Sequence, residues 1–163
     1  KILQDLGVGY TPNFIVDPDW EREDFDKLKR WIDETGAYNS GFSVLTPLPG
    51  TDLWDETVDS INTSDWELFD IAHSVLPTKL PLPDFYREYA SLWKHAVDVR
   101  YRIEGKVKTN LGILAALATG KVTFSAMRKG MRMGNVLSDP KTFLRAHNES
   151  ADRLAEAESL AHP

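Results

Sequence analysis

Asn13-Phe-Ile-Val16 and, one helix later, Phe42-Ser-Val-Leu-Thr-Pro-Leu-Pro-Gly-Thr51 are the stretches on which the fold turns. The run from Val8 to Val16 is rich in strand-forming residues, and Asp17-Pro18-Asp19 stops it while offering an N-cap. Phe25, Leu28, Trp31 and Ile32 then recur at helical spacing until Gly36 ends the helix. Phe42–Leu45 is a short buried strand, and the prolines and glycine from Thr46 to Thr51 forbid both helix and ladder from continuing. Strand, helix and strand joined by short connections predict a βαβ unit, hence a parallel pair with a right-handed crossover.

Working outward, Ile2, Leu3 and Leu6 before Gly7 read as the last turns of a helix with a glycine cap. Lys1 to Gly7 contains neither an initiating Met nor the regions of a signal peptide, so the chain is expected to be cut from something longer. Downstream, Pro77, Pro81 and Pro83 make an extended linker that places a boundary near residue 80, between an α/β part (1–80) and a mainly α-helical part (81–163). Phe85, Tyr89, Leu92, Trp93 and Ala96 mark one face of a helix running to about Glu104. Leu111–Ala118 and Thr123–Met133 are shorter helices separated by Gly120, and Ser138-Asp139-Pro140 starts a last one.

The composition is that of a soluble globular chain, with 42% hydrophobic and 27% charged residues. No run approaches the roughly 18 apolar residues of a spanning helix. The chain has no cysteine, which excludes disulfides, zinc-thiolate sites and thiol nucleophiles and accords with a reducing cytoplasm. Its net charge of −6 is unevenly placed. Residues 105–138 carry Lys106, Lys108, Lys121, Arg128, Lys129 and Arg132 and no Asp or Glu, leaving 13 basic against 25 acidic residues elsewhere. An acidic body argues against nucleic-acid binding, whereas a confined basic and apolar segment suits an anionic surface such as a membrane leaflet.

Gly7-Val-Gly-Tyr-Thr-Pro-Asn-Phe-Ile-Val-Asp-Pro-Asp-Trp20 and Phe42-Ser-Val-Leu-Thr-Pro-Leu-Pro-Gly-Thr-Asp-Leu-Trp54 resemble the last two barrel strands of cobalamin-dependent radical S-adenosylmethionine enzymes. There the fifth strand carries a phrase like Phe-Ile-Val-Gly and the sixth ends in Thr-Pro-x-Pro-Gly-Thr, which Thr46–Thr51 matches in full; Asp17 stands where many relatives have glycine. Asp65-Trp-Glu-Leu-Phe-Asp70, His73-Ser-Val-Leu-Pro77 and Phe85-Tyr-Arg-Glu-Tyr89 resemble the segment past the barrel and are most similar to the hopanoid C-3 methylases. The resemblance covers about residues 1–105 and implies a partial (β/α) barrel remnant followed by a mainly α-helical domain. It implies a [4Fe–4S] cluster, S-adenosylmethionine and cobalamin in the parent enzyme, none of them expected on this fragment, since a cluster takes thiolates. Asn13, Phe14, Ile15, Val16, Ser43, Leu45 and Thr46 would line the adenosine side, largely through main-chain groups and apolar contact.

Thr46–Thr51 is equally a rigid turn with Thr51 or Asp52 as N-cap. Asp17, Asp19, Glu21, Glu23 and Asp24 suit a helix start better than a cation site, having no calcium-loop spacing. His73, His95, His147 and His162 lack metal-site spacing; His73, with Asp70, is retained as a substrate-contacting candidate. Trp54, Trp66, Phe69 and Trp93 read as core. The basic helical segment reads either as lying on a membrane or as a bundle with solvated edges. The chain is thus expected to be an inactive fragment of a methyltransferase acting on an unactivated carbon, of a hopanoid lipid by resemblance. Its partners would be the rest of the parent chain, a lipid substrate and a membrane surface, not nucleic acid, and its setting the cytoplasm, peripheral to a membrane. The alternatives are a non-catalytic interaction module with a basic amphipathic arm, and a radical enzyme of another reaction type. An opened two-stranded sheet also predicts self-association.

Overall fold

The computed structural model describes residues 10–161 together with residues 2, 6 and 8; the predicted Gly7 cap, and His162, lie outside the described residues. Two parallel strands, β1 (Asn13–Val16) and β2 (Gly41–Val44), are joined by helix α1 (Arg22–Thr35). Beyond them come a short α2 (Asp52–Thr57), two single-turn 3₁₀ segments, and four helices: α3 (Leu82–Glu104), α4 (Lys106–Ala118), α5 (Phe124–Leu137) and α6 (Pro140–Ala161).

The strand–helix–strand unit is present and parallel, with Phe14 opposite Phe42 and Val16 opposite Val44. β1 is shorter than the apolar run from Val8 suggests, because its ladder extends only as far as its four-residue partner; Pro12 adds a last carbonyl, accepting from the Gly41 amide. The α1 cap also differs from expectation. The Asp17 carboxylate accepts from the Asp19 amide in a turn, and the cap lies two residues later, with Glu21 and Asp24 forming a reciprocal capping box. At the other end Gly36 takes the left-handed conformation (φ 67°) and its amide bonds to Ile32. Thr51 caps α2, its hydroxyl accepting from the Trp54 amide.

Phe25, Leu28 and Ile32 of α1 face Phe85, Tyr89, Leu92 and Ala96 of α3, and Val16, Phe42 and Val44 complete the same core. Phe85 meets Phe25 edge-on at 5.8 Å, and Phe143 of α6 stacks on Tyr86 at 5.2 Å. The core is therefore continuous across residue 80. Trp93 joins it through Phe42, but Trp54, Trp66 and Phe69 do not. These three rings pack on one another at the surface with Trp66 62% exposed, which corrects the reading of the four aromatics as one core group. Their cluster stands outside the core, with Trp54 and Phe69 half-buried.

Candidate functional site

Alternation along the two strands sends Val16, Phe42 and Val44, with the half-buried Phe14, into the core. The opposite face presents Asn13, Ile15, Gly41 and Ser43, and Ile15 is 61% exposed. Parallel strands are normally covered on both faces. Here one face is packed and the other is open. A Cβ on Gly41 would lie 2.4 Å from Oδ1 of the exposed Asn13 side chain, which would have to turn aside, and the Ser43 hydroxyl reaches the Phe14 carbonyl at 3.4 Å.

The two edges of this sheet differ. On the outer edge of β2 the Tyr89 hydroxyl donates to the Phe42 carbonyl at 3.0 Å, and the Val44 amide donates to Ile71 O at 2.6 Å. Ile71 carries φ 60°, a costly conformation for a β-branched residue, so the surrounding contacts hold it there. β1 has no second strand partner among the described residues. Of the residues named from the sequence, Asn13, Ile15 and Ser43 share the open face. Phe14 and Val16 turn their side chains inward, while Leu45 and Thr46 continue past β2, Leu45 donating to Val16 O and the Thr46 hydroxyl to Val44 O.

Asp70 and His73 flank Ile71 at the covered edge. The Asp70 carboxylate accepts from the amides of Ala72 and His73 and from His73 Nδ1 at 2.9 Å, so Nδ1 carries the proton. The His73 ring lies against Tyr86, Phe143 and His147, turned into the helical layer, with Nε2 buried and unpartnered among the described residues. Tyr86 accepts from the Ser74 amide at 2.9 Å and donates to His147 Nε2 at 2.6 Å. His147, 74 residues away in the chain, has no sequence signal linking it to this group.

Burial would raise the Asp70 carboxyl, but the bonds from His73 and the Ala72 amide outweigh it and hold it below its ordinary value. Burial pushes the Tyr86 hydroxyl well up and keeps it a donor. Burial, with His73 nearby, lowers His147 from 6.5 to about 4. The unfolded chain therefore binds more protons between those values, so stability is complete above pH 6.5 and falls as pH drops toward 4. Allowing for partial exposure, the loss is about 2 kcal/mol. Urea midpoints followed from neutral pH to pH 4 check this, and a His147→Gln chain should show a flatter profile. The loss from Asp70 comes lower, below 3.8.

The chain is 46% identical over 88 residues to the hopanoid C-3 methylase of Methylococcus capsulatus, covering 54% of this chain and 17% of that protein. It is 30% identical over 82 residues to the bacteriochlorophyllide d C-8(2)-methyltransferase of Chlorobaculum tepidum, covering 47% of this chain and 18% of that protein. The chain spans less than a fifth of the length of these curated relatives. No protein-family model matches it, and no solved structure does. It is similar to these methyltransferases over about half of its own length, which agrees with the resemblance carried by its strand and post-barrel motifs.

Proposed function

We propose that this chain is the segment of a radical S-adenosylmethionine methyltransferase that closes the last edge of its partial barrel and lines one side of the reaction chamber. The observation that carries the proposal is the parallel sheet covered on one face only, with Ile15 on the open side. A last strand needs its outer edge blunted, as Tyr89 and Ile71 blunt β2, and its inner neighbour free to pair onward, as β1 is.

The fit to the implied groups is uneven. The cluster does not fit these residues: the chain has no thiolate, and the described residues hold no group of three metal-ligating side chains. The open face suits an adenosine, with an apolar bearing in Ile15, a hydroxyl in Ser43, an amide in Asn13 and a low floor at Gly41. When bound in the complete enzyme, S-adenosylmethionine and cobalamin supply radical hydrogen abstraction and the methyl group. This segment contributes position and exclusion of water: Ile15 bears on the nucleoside, and Asn13 and Ser43 orient its polar edge. The substrate is an unactivated carbon of a polycyclic lipid of the hopanoid class, in keeping with the methylase to which the chain is 46% identical.

The test is the full-length parent, prepared without oxygen and supplied with cluster and cobalamin. Cleavage of S-adenosylmethionine with methylation of a hopanoid is expected. Ile15→Glu, at an exposed position that leaves the core intact, should lower methyl transfer about 100-fold at unchanged helicity. Full activity in Ile15→Glu would remove the open face from the site; absence of cleavage by the unaltered parent would remove the radical class altogether.

A further inference from the structure

The arm formed by α4 and α5 carries a dense group of exposed large apolar side chains: Leu111, Ile113, Leu114, Val122, Phe124 and Met131 among them. Leu111, Leu114, Ala115 and Ala118 fall at i, i+3, i+4 and i+7 and form a stripe along α4 that faces solvent, with Leu111 and Leu114 each 59% exposed. On α5 Phe124 is 68% exposed, and Met131 lies two turns further along the same face. The opposite side of α4, through Ile113 and Ala116, opens on a groove of about 790 Å³ shared with Val122, Met127 and Met131. Among their described residues neither helix buries one fully. Both sides of α4 are thus apolar, and helical propensity alone does not require this.

The charges around this surface all have one sign. Lys108 and Lys121 stand at the two ends of the α4 stripe, and Arg128, Lys129 and Arg132 flank Phe124 and Met131. Residues 105–138 contain no carboxylate in a chain that elsewhere has nearly twice as many acids as bases. A stripe of leucines with cations at its ends matches an anionic bilayer surface: the apolar side chains enter the acyl boundary while the lysine and arginine stems reach back to the headgroups. None of the helices described is long and apolar enough to cross a membrane.

We propose that α4 and α5 dock the protein on an anionic lipid bilayer, lying in its surface plane through Leu111, Leu114 and Phe124. The proposal stands apart from the methyltransferase reading, because its test has no activity readout. The full chain is floated with vesicles of phosphatidylcholine alone and of phosphatidylcholine mixed with phosphatidylglycerol, at low and high salt. Partition onto the mixed vesicles, weakened by salt, is expected. Leu111→Gln with Leu114→Gln should reduce it at least about tenfold, and Lys121→Gln or Arg128→Gln about fivefold each. The two charge variants lie on solvated positions and test the proposal even if the leucine pair disturbs α4. Equal binding to both vesicle types, or none to the mixed ones, overturns it. So does a dimer in sedimentation that the leucine variant dissociates while lipid binding is absent, since the stripe then belongs to a second copy.

Discussion

Phe85→Ala is expected to cost about 3–5 kcal/mol, a large part of the whole stability of a domain this size. Phe85 is fully buried and is the ring through which the α/β unit and the helical layer meet: Phe25 of α1 lies edge-on to it, Tyr86 adjoins it and Tyr89 stacks on it at 6.5 Å. Truncation removes the apolar transfer of the ring and leaves a cavity walled by rings of α1 and α3, two packed helices that collapse poorly. Denaturant midpoints for Phe85→Ala and Phe85→Leu measure this. Leucine should recover much of the loss by refilling the space. A loss under about 1 kcal/mol for alanine would mean that the two halves are stable separately rather than through this shared core.

Tyr86→Phe is expected to cost about 2–4 kcal/mol although it removes one oxygen atom. That oxygen accepts from the Ser74 amide and donates to His147 Nε2, and Ser74 is itself fully buried, so the substitution strands a main-chain donor and an imidazole acceptor away from water. The damage should be directional. Ser74 belongs to the segment that holds Ile71 against the edge of β2, so the Val44 amide ought to exchange faster with solvent in Tyr86→Phe, while amides in α1 change little. Hydrogen exchange separates this from general destabilisation. A uniform rise in exchange across the chain would show that Tyr86 supports the core as a whole and has no particular hold on the sheet edge. Combining it with His147→Leu should recover part of the cost, because the stranded acceptor is then absent.

Much of the secondary structure was legible from local chemistry. The period-two run at Phe14 and Val16, the helical period of Phe25, Leu28 and Ile32, and the glycine at 36 each act within a few residues, so the βαβ unit followed from them. The long α3 face followed in the same way from Phe85, Tyr89, Leu92 and Ala96. Trp54, Trp66 and Phe69 misled because hydrophobicity states a preference for burial without naming the surface that supplies it.

The candidate site divides along the same line. Asn13, Ile15 and Ser43 were named as candidates through strand motifs, and the alternation of a strand already separates them from Phe14 and Val16. The resemblance to cobalamin-dependent radical enzymes also lay in contiguous strings, and the similarity to the two methyltransferases agrees with it. His147 was not legible, since nothing local ties it to His73 or Tyr86; α6 must first pack on α3 for the three rings to meet. Nor could the sequence tell which sheet edge is closed, because that depends on a hydroxyl from α3 and a carbonyl from residue 71 arriving at β2. What the sequence by itself determined was the order of elements and the chemistry of each face, both set by interactions within a few residues. Only the tertiary structure decided which faces stay open and which polar groups share a buried site, because those outcomes rest on contacts between residues far apart in the chain.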